Sequence, residues 1–188
     1  MAKALDFRRR REAKTDYGKR LSLIKGNLDK VVIRKTNRRI IGEIVRYQET
    51  GDMVIAYVDS AVLASKYKWP SRSNRPTAYL TGFMLAKIAK EKKLADGNTE
   101  FVLDIGLSSP VQNSIPFVFA KGCVDGGMKL RSGIEIKEGL YNYSDTGYAR
   151  KVVEEGKSKH YGKFLKDGIK IENLGKMFEE TKQKLTSE

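Results

Sequence analysis

The sequence has 188 residues and a formal net charge of +14 at pH 7, with 37 Lys and Arg against 23 Asp and Glu. This length allows one domain with a hydrophobic core and extensions, and the lack of about 18 consecutive apolar residues excludes a membrane-spanning helix. The single cysteine, Cys123, excludes an internal disulfide and argues against a cysteine zinc site, and the start lacks the apolar stretch of a secretory signal. We therefore expect a cytoplasmic protein whose excess charge favours a polyanionic partner.

The positive charge is concentrated at the front of the chain. Residues 1–48 hold 15 Lys and Arg against 5 Asp and Glu, whereas residues 49–149 hold 12 against 11. The front segment contains the consecutive arginines Arg8 to Arg11 between Phe7 and Tyr17. An arginine offers phosphate a planar, permanently charged fork of donors, and an aromatic ring can stack on an unpaired base. The arrangement favours nucleic-acid binding over the alternative of a solvated charged tail.

A short helix is predicted after an extended, disordered start. Residues 1–13 are expected to be extended and disordered in isolation. Thr15 is the predicted N-cap of the helix that follows, because a threonine hydroxyl can accept a hydrogen bond from the first helical N–H groups. The pair Gly26-Asn27 is predicted to end this helix.

An α/β core is predicted next. Turn-sized links join short apolar segments into an antiparallel meander of three predicted strands, at 31–35, 39–47 and 53–58. Residues 59–76 are predicted to form a loop region, and residues 77–94 a helix with a broad apolar face. A strand at 101–106 then indicates a parallel pairing through a crossover. A second helix at 117–124 completes the order βββαβα.

The tail is rich in Gly, Tyr and Lys, and its apolar periodicity appears only near the end. One face of a predicted final helix collects Leu174, Met177, Phe178, Thr181 and Leu185. We predict three parts for the whole chain. They are a basic N-terminal arm with a short helix at 1–29, an α/β core at 30–130 and a C-terminal extension at 131–188.

Two later segments are further candidates for nucleic-acid contact. The basic turn from Lys35 to Arg39 can approach a phosphate backbone closely, although an ordinary charged hairpin tip has the same composition. Trp69 could stack on a base beside Asn74 and Arg75, or it could close one edge of the core. The loop at 108–114 lies where open α/β sheets place ligands, but it has no basic residue.

The sequence offers little chemistry for catalysis. It has no glycine-rich nucleotide loop and no paired metal-ligand spacing, and His160, the only histidine, lies in the lysine-rich tail. Asp104, at the end of a predicted strand, raises the alternative of a metal-dependent nuclease, but no second carboxylate is obviously placed beside it. We predict no catalytic residue, no metal and no cofactor.

Motifs spread over about residues 7–130 closely resemble one family when they are taken in collinear order. They are the run from Phe7 to Tyr17, Asn37-Arg38-Arg39-Ile40-Ile41, Pro76 to Gly82, Leu103 to Leu107, and Lys121 to Gly127. The sequence resembles the archaeal form of the 5S-rRNA-binding protein of the large ribosomal subunit, the eighteenth in the universal numbering. The resemblance implies a three-layer α/β/α domain with a mixed sheet of ribonuclease H-like topology and no nuclease activity.

The resemblance also implies a function and a set of partners. It implies a structural constituent of the cytoplasmic ribosome that binds 5S rRNA and links it to 23S rRNA in the central protuberance. The implied protein partners are a neighbouring 5S-binding ribosomal protein and other large-subunit proteins, with no membrane involved. Two alternatives to this role are a generic basic RNA-binding or chaperone protein and a divergent nuclease.

The predicted RNA-binding residues come from the resemblance and from the residues themselves. Those that match the family's N-terminal RNA-binding motif are Arg8, Arg9, Arg10, Arg11, Lys14, Thr15, Tyr17, Lys19 and Arg20. Those that match its basic first turn are Asn37, Arg38 and Arg39. The residues alone add Lys35, Thr36, Trp69, Asn74 and Arg75. The loop at 108–116 and the segment after Leu130 depart from the family's pattern, so no role is carried over to them.

Overall fold

A computed structural model of the chain describes residues 5–131, 168–169 and 173–187. Its strands are β1 (Asp29–Lys35), β2 (Ile40–Arg46), β3 (Met53–Asp59), β4 (Glu100–Asp104) and β5 (Lys129–Arg131). Its helices are α1 (Arg8–Arg11), α2 (Tyr17–Lys25), α3 (Ala61–Lys66), α4 (Arg75–Glu91), α5 (Ile115–Asp125) and α6 (Leu174–Ser187). Most of the predicted C-terminal extension, including His160, lies outside the described residues.

The strands form one mixed sheet in the order β3-β2-β1-β4-β5. β1, β2 and β3 pair antiparallel, as the meander predicted, and β4 pairs parallel with β1, with Val31 opposite Leu103. Parallel pairing requires a crossover, which here contains α4. The structure adds β5, which pairs parallel with β4 and was not predicted, because its three residues are too few to show a period.

Helices cover both faces of this sheet, which confirms the predicted three-layer α/β fold. In β1, Val31 and Ile33 are buried on the face covered by α4 and α5, while Val32 and Arg34 lie on the opposite face. We call this opposite face the outer face. Near α2 it includes Lys30, whose side chain is buried.

The two helices on the inner face approach each other closely because each contributes a glycine at the contact. A β-carbon at Gly82 of α4 would overlap the carbonyl oxygen of Phe119, and one at Gly122 of α5 would overlap the carbonyl oxygen of Tyr79. The backbones therefore touch where side chains would otherwise separate them. This close contact joins α4 and α5 into one layer.

The final helix packs into the same core. Its predicted apolar stripe is confirmed, since Leu174, Phe178, Thr181 and Leu185 are buried. The Phe178 ring lies 6.3 Å from the Trp69 ring and 5.4 Å from the Tyr79 ring, measured between centroids. α6 thus seals one side of α4. The predicted division into arm, core and extension stays a prediction.

The structure corrects three local predictions. Residues 8–11 form a helical turn instead of an extended segment. The N-cap of α2 is Asp16, whose Oδ1 accepts a hydrogen bond from Lys19 N at 3.1 Å, and not Thr15. The predicted loop at 59–76 contains α3, a short helix among Ser, Lys and Pro residues that weaken its helical pattern.

Candidate nucleic-acid interface

The arginine run occupies the helical turn α1, and all its side chains are exposed. Arg8 pairs with Glu12 and Arg10 with Asp6, each at 3.6 Å and four residues apart, a spacing that suits a helical turn. Both pairs are well exposed and therefore weak. The guanidinium groups remain available to a stronger anion such as a phosphate.

The arm folds back onto the start of α2. Arg9 Nε donates a hydrogen bond to Thr15 Oγ1 at 2.9 Å, so Thr15 holds the arm instead of capping the helix. The Phe7 and Tyr17 rings lie 5.3 Å apart. Phe7 nevertheless stays 72% exposed, so it can still stack on a base.

Two of the predicted RNA-binding cations attach α2 to the sheet. Lys19 Nζ donates to the carbonyl oxygen of Gly106, just after β4, at 2.8 Å. Arg20 Nη2 donates to Asp52 Oδ1, in the turn between β2 and β3, at 2.9 Å. Because these contacts hold α2 over the outer face, they fix the place from which the arm extends.

A cavity of about 200 Å³ lies between the arm, α2 and the outer face. Its lining includes the cations Arg9, Lys14, Lys19 and Arg34. Arg34, which pairs with Glu43 at 3.3 Å, was not among the predicted site residues. Side chains of a strand point alternately to the two faces of the sheet, and this rule could have identified Arg34. Arg34 follows the inward-facing Ile33 at the carboxyl end of β1, so it points to the outer face.

The basic turn between β1 and β2 is closed by Thr36. Its N–H donates to the carbonyl oxygen of Arg39 at 2.9 Å, and its hydroxyl accepts from Arg39 N at 3.0 Å. Thr36 is thus occupied by the turn itself. Lys35, Asn37 and Arg38 are left exposed at the tip.

Arg39 differs from its neighbours because it has a buried partner. Its Nη1 donates to Asp59 Oδ2 at 2.8 Å, and Asp59 Oδ1 also accepts from Ala61 N at 2.8 Å. Burial alone would raise the pKa of Asp59, but these bonds outweigh it and lower the pKa. The hydrogen bond to Asp59 in turn raises the pKa of Arg39. Arg39 remains charged, but it shares that charge with a carboxylate.

The structure brings this turn together with the segment before α4. These two segments were predicted from the sequence as separate candidates. Ser73 Oγ donates to the carbonyl oxygen of Asn37 at 3.3 Å, and Ser60 Oγ donates to that of Arg72 at 2.6 Å. Asn74 caps α4, since its Oδ1 accepts from Thr77 N at 2.9 Å. Arg72 and Arg75 are exposed beside the turn, and Arg72 was missed because it lies alone between serines.

Trp69 is not part of this surface, which corrects its predicted role in base stacking. Its side chain is 2% exposed, and Phe178 packs against it. Its Nε1 donates to Thr77 Oγ1 at 2.8 Å, so its polar atom is satisfied inside the protein. The structure supports the other interpretation, in which the tryptophan closes one edge of the core.

The arm and the turn meet at the carboxyl end of β1, where Arg34 of the cavity is followed directly by Lys35 of the turn. We call this group of cations the basic edge. It consists of Arg8 to Arg11, Lys14, Lys19, Arg20, Arg34, Lys35, Arg38, Arg39, Arg72 and Arg75.

Comparison with known proteins identifies the class of protein that carries this surface. A family model described as ribosomal large subunit proteins 60S L5 and 50S L18 matches residues 3–100. The large ribosomal subunit protein uL18 of Korarchaeum cryptofilum is 37% identical over 186 residues, covering 96% of this chain and 93% of that protein. The chain belongs to the uL18 family. The uL18 of Sulfurisphaera tokodaii is 36% identical over 187 residues, with the same coverage of the two chains.

Membership of the uL18 family confirms several predictions from the sequence. The protein is a structural component of the large ribosomal subunit and is not an enzyme, which removes the nuclease alternative. Its predicted location, the ribosome, is confirmed as well. The whole basic edge falls within the matched residues 3–100.

Metal ligands, the single thiol and the helices were the other features of this uL18-family protein that bear on function. Among the residues that the structure describes, no group of His, Cys, Asp and Glu is arranged to hold a metal ion. Cys123 is buried, and burial raises the pKa of its thiol, so it is not a reactive group. None of the described helices is long and apolar enough to cross a membrane.

Proposed function

We propose that this protein binds 5S rRNA through the basic edge and links it to 23S rRNA in the central protuberance of the large subunit. A neighbouring 5S-binding ribosomal protein and other large-subunit proteins complete its surroundings. One observation carries the proposal: the fold connects three separate basic segments. The arm shares a cavity with Arg34, which precedes the first turn, and Ser73 joins that turn to the start of α4.

Several cations of the basic edge have no acidic partner in the described part of the chain. They are Arg9, Arg11, Lys19, Lys35, Arg38, Arg72 and Arg75. Uncompensated positive charges repel each other, so they lower the stability of the free protein and favour the binding of a polyanion. RNA phosphates are spaced regularly along a backbone and can neutralise such a row.

Structured RNA also suits the shape of this surface. An RNA duplex is recognised mostly by its shape, its phosphates and its 2′-hydroxyl groups, whereas unpaired bases stack on aromatic rings. A rigid turn with exposed Arg38 and Asn37 can contact a backbone, and the exposed Phe7 on the arm offers a stacking surface. The basic edge thus combines both modes of contact.

A salt titration of 5S rRNA binding tests the proposal. If about eight cations neutralise phosphates, the logarithm of the binding constant should fall with the logarithm of the salt concentration with a slope of roughly −6 to −7. Arg9→Ala and Arg10→Ala should weaken binding and leave the melting temperature nearly unchanged, because both side chains are exposed.

Lys90 and Lys93 provide a matched control, since they are exposed at and just beyond the far end of α4, and Lys90 lies about 22 Å along the helix from Arg75. The double variant Lys90→Gln/Lys93→Gln should bind more tightly than Arg38→Gln/Arg75→Gln. Equal losses from both pairs would contradict a defined binding surface. Equal affinity for an unrelated RNA of 5S length at about 0.15 M salt would instead indicate a generic RNA-binding or chaperone protein.

A further inference from the structure

Asp52 is an acidic residue beside the basic edge, and it contacts two cations from different elements. Its Oδ1 accepts a hydrogen bond from Arg20 Nη2 at 2.9 Å, and its Oδ2 accepts one from Lys30 Nζ at 3.0 Å. Arg20 belongs to α2 and Lys30 to β1, while Asp52 lies in the turn between β2 and β3. One carboxylate therefore joins a turn, a helix and the central strand.

The buried side chain of Lys30 holds this carboxylate in place. The side chain of Lys30 is 4% exposed, whereas those of Asp52 and Arg20 are 23% and 40% exposed. A buried ammonium group needs a partner, so Lys30 holds Asp52 on the outer face. Burial alone would raise the pKa of Asp52, but the hydrogen bonds and charges of Lys30 and Arg20 outweigh it and lower the pKa. Asp52 stays ionised and retains Arg20.

The position of Arg20 matters because the arm is attached to the same end of α2. Arg9 contacts Thr15, and Phe7 contacts Tyr17, immediately before and at the start of this helix. Lys19 holds the helix to Gly106 at a second point. If Arg20 loses Asp52, the hydrogen bond from Lys19 to Gly106 remains but the second attachment of α2 is lost. The arm is then less well fixed relative to the basic turn.

We propose that Asp52 is a positioning residue for RNA binding, which holds Arg20 and thereby aligns α2 and the arm with the rest of the basic edge. This inference rests on the proposed function of that surface. It predicts an effect opposite in sign to simple electrostatics. A negative charge beside a polyanion weakens binding through repulsion, so its removal alone would tighten binding. We expect instead that the loss of Asp52 makes binding weaker than in the wild type.

Glu49, in the same turn, offers a matched comparison. It is exposed and has no ion pair within the described residues. Asp52→Ala and Glu49→Ala each remove one negative charge, so repulsion alone would tighten RNA binding in both. We expect Asp52→Ala to weaken 5S rRNA binding about 5- to 10-fold at 0.15 M salt, the net effect of one lost hydrogen bond. We expect Glu49→Ala to leave the Kd within about twofold or to lower it.

A second set of variants separates this role from stabilisation of the fold. Asp52→Ala leaves Lys30 buried without a partner, whereas Lys30→Met/Asp52→Ala removes the buried charge as well and should restore the melting temperature. Because Arg20 still lacks its partner, the double variant should bind RNA as weakly as Asp52→Ala. In an Arg20→Gln background, Asp52→Ala should cause no further loss, since both changes remove the same contact.

The results that would overturn the inference are distinct from those that bear on the proposed function. Wild-type affinity in Lys30→Met/Asp52→Ala would show that Asp52 serves only the buried lysine. A full additional loss in the Arg20→Gln background would show that Asp52 does not act through Arg20. If the wild type bound 5S rRNA no better than another RNA, the proposed function would fail, while the ratios between variants would still decide the role of Asp52.

Discussion

The predicted RNA-binding residues fall into two groups. Some side chains are exposed, and others form contacts that hold the structure together. Arg38 is exposed and has no acidic partner in the described part of the chain, whereas Arg39, its neighbour, pairs with Asp59 at 2.8 Å. Thr36 closes the turn, and Asn74 caps α4. Each of these residues helps to shape the surface, but only some have a free charge to offer to a phosphate.

Trp69 is the only tryptophan, which makes its burial measurable. Phe178→Ala removes the ring that packs against it, and we expect a loss of about 3 to 5 kcal/mol in the free energy of unfolding. The fluorescence maximum of Trp69 should shift to longer wavelength as water reaches the indole. An unchanged spectrum together with unchanged stability would show that α6 does not cover Trp69 in solution.

Acid should weaken the fold through Asp52 and Asp59, whose pKa values are lowered in the folded protein. Such groups stabilise the fold above their unfolded pKa of about 3.9, and the contribution is lost as the pH falls through the lower folded value. Denaturant unfolding should therefore show a plateau near neutral pH and a decline below about pH 4. In Asp59→Asn the difference between pH 7 and pH 3 should shrink, because this variant has no carboxyl group at position 59. The same difference in Asp59→Asn and the wild type would contradict this account.

Among the secondary-structure elements, the contact between α4 and α5 determines how the inner layer is built. Gly82 and Gly122 allow the two backbones to touch, and α4 begins at the edge where Arg75 meets the basic turn. The helix pair thus fixes the place of one segment of the basic edge relative to the sheet. A change in its spacing would alter both the core and the surface.

Gly82→Ala should destabilise the fold strongly, because the added methyl group meets the rigid backbone of Phe119 and not a flexible side chain. We expect a loss of about 3 kcal/mol or more in the free energy of unfolding, at the upper end of the range for overpacked cores. Gly26→Ala is the control, since Gly26 is exposed and has an ordinary helical conformation. A Gly82→Ala protein that melts like the Gly26→Ala protein would show that α4 and α5 can separate without cost.

The elements that the sequence predicted correctly are those with a clear apolar character and clear ends. The strands of the meander are short apolar segments separated by turn residues, and the apolar face of α4 is broad. β5 and α3 were missed because they are short, and local propensity is weak over so few residues. The burial of Trp69 depends on Phe178, more than a hundred residues later in the chain. No local pattern can predict such a contact, so two interpretations of Trp69 remained open.

At the scale of the whole molecule, the charge is separated from the core. Residues 1–48 hold 15 Lys and Arg against 5 Asp and Glu, and the segment that follows is nearly neutral. The sequence located this charge, and the collinear motifs indicated its partner. The sequence could not show that the segment before α4 lies beside Asn37, because that proximity depends on the hydrogen bonds of Ser60 and Ser73.

Crosslinking of RNA to protein in purified ribosomes, mapped to both residues and nucleotides, tests the central claim most directly. We expect crosslinks from Arg8 to Arg11, Lys35 and Arg38 to nucleotides of 5S rRNA. Trp69 should give none, because it is buried. The proposed function would be contradicted if the arm and the turn crosslinked to other RNAs but not to 5S rRNA. It would also be contradicted if 5S rRNA crosslinked only to surfaces away from the basic edge.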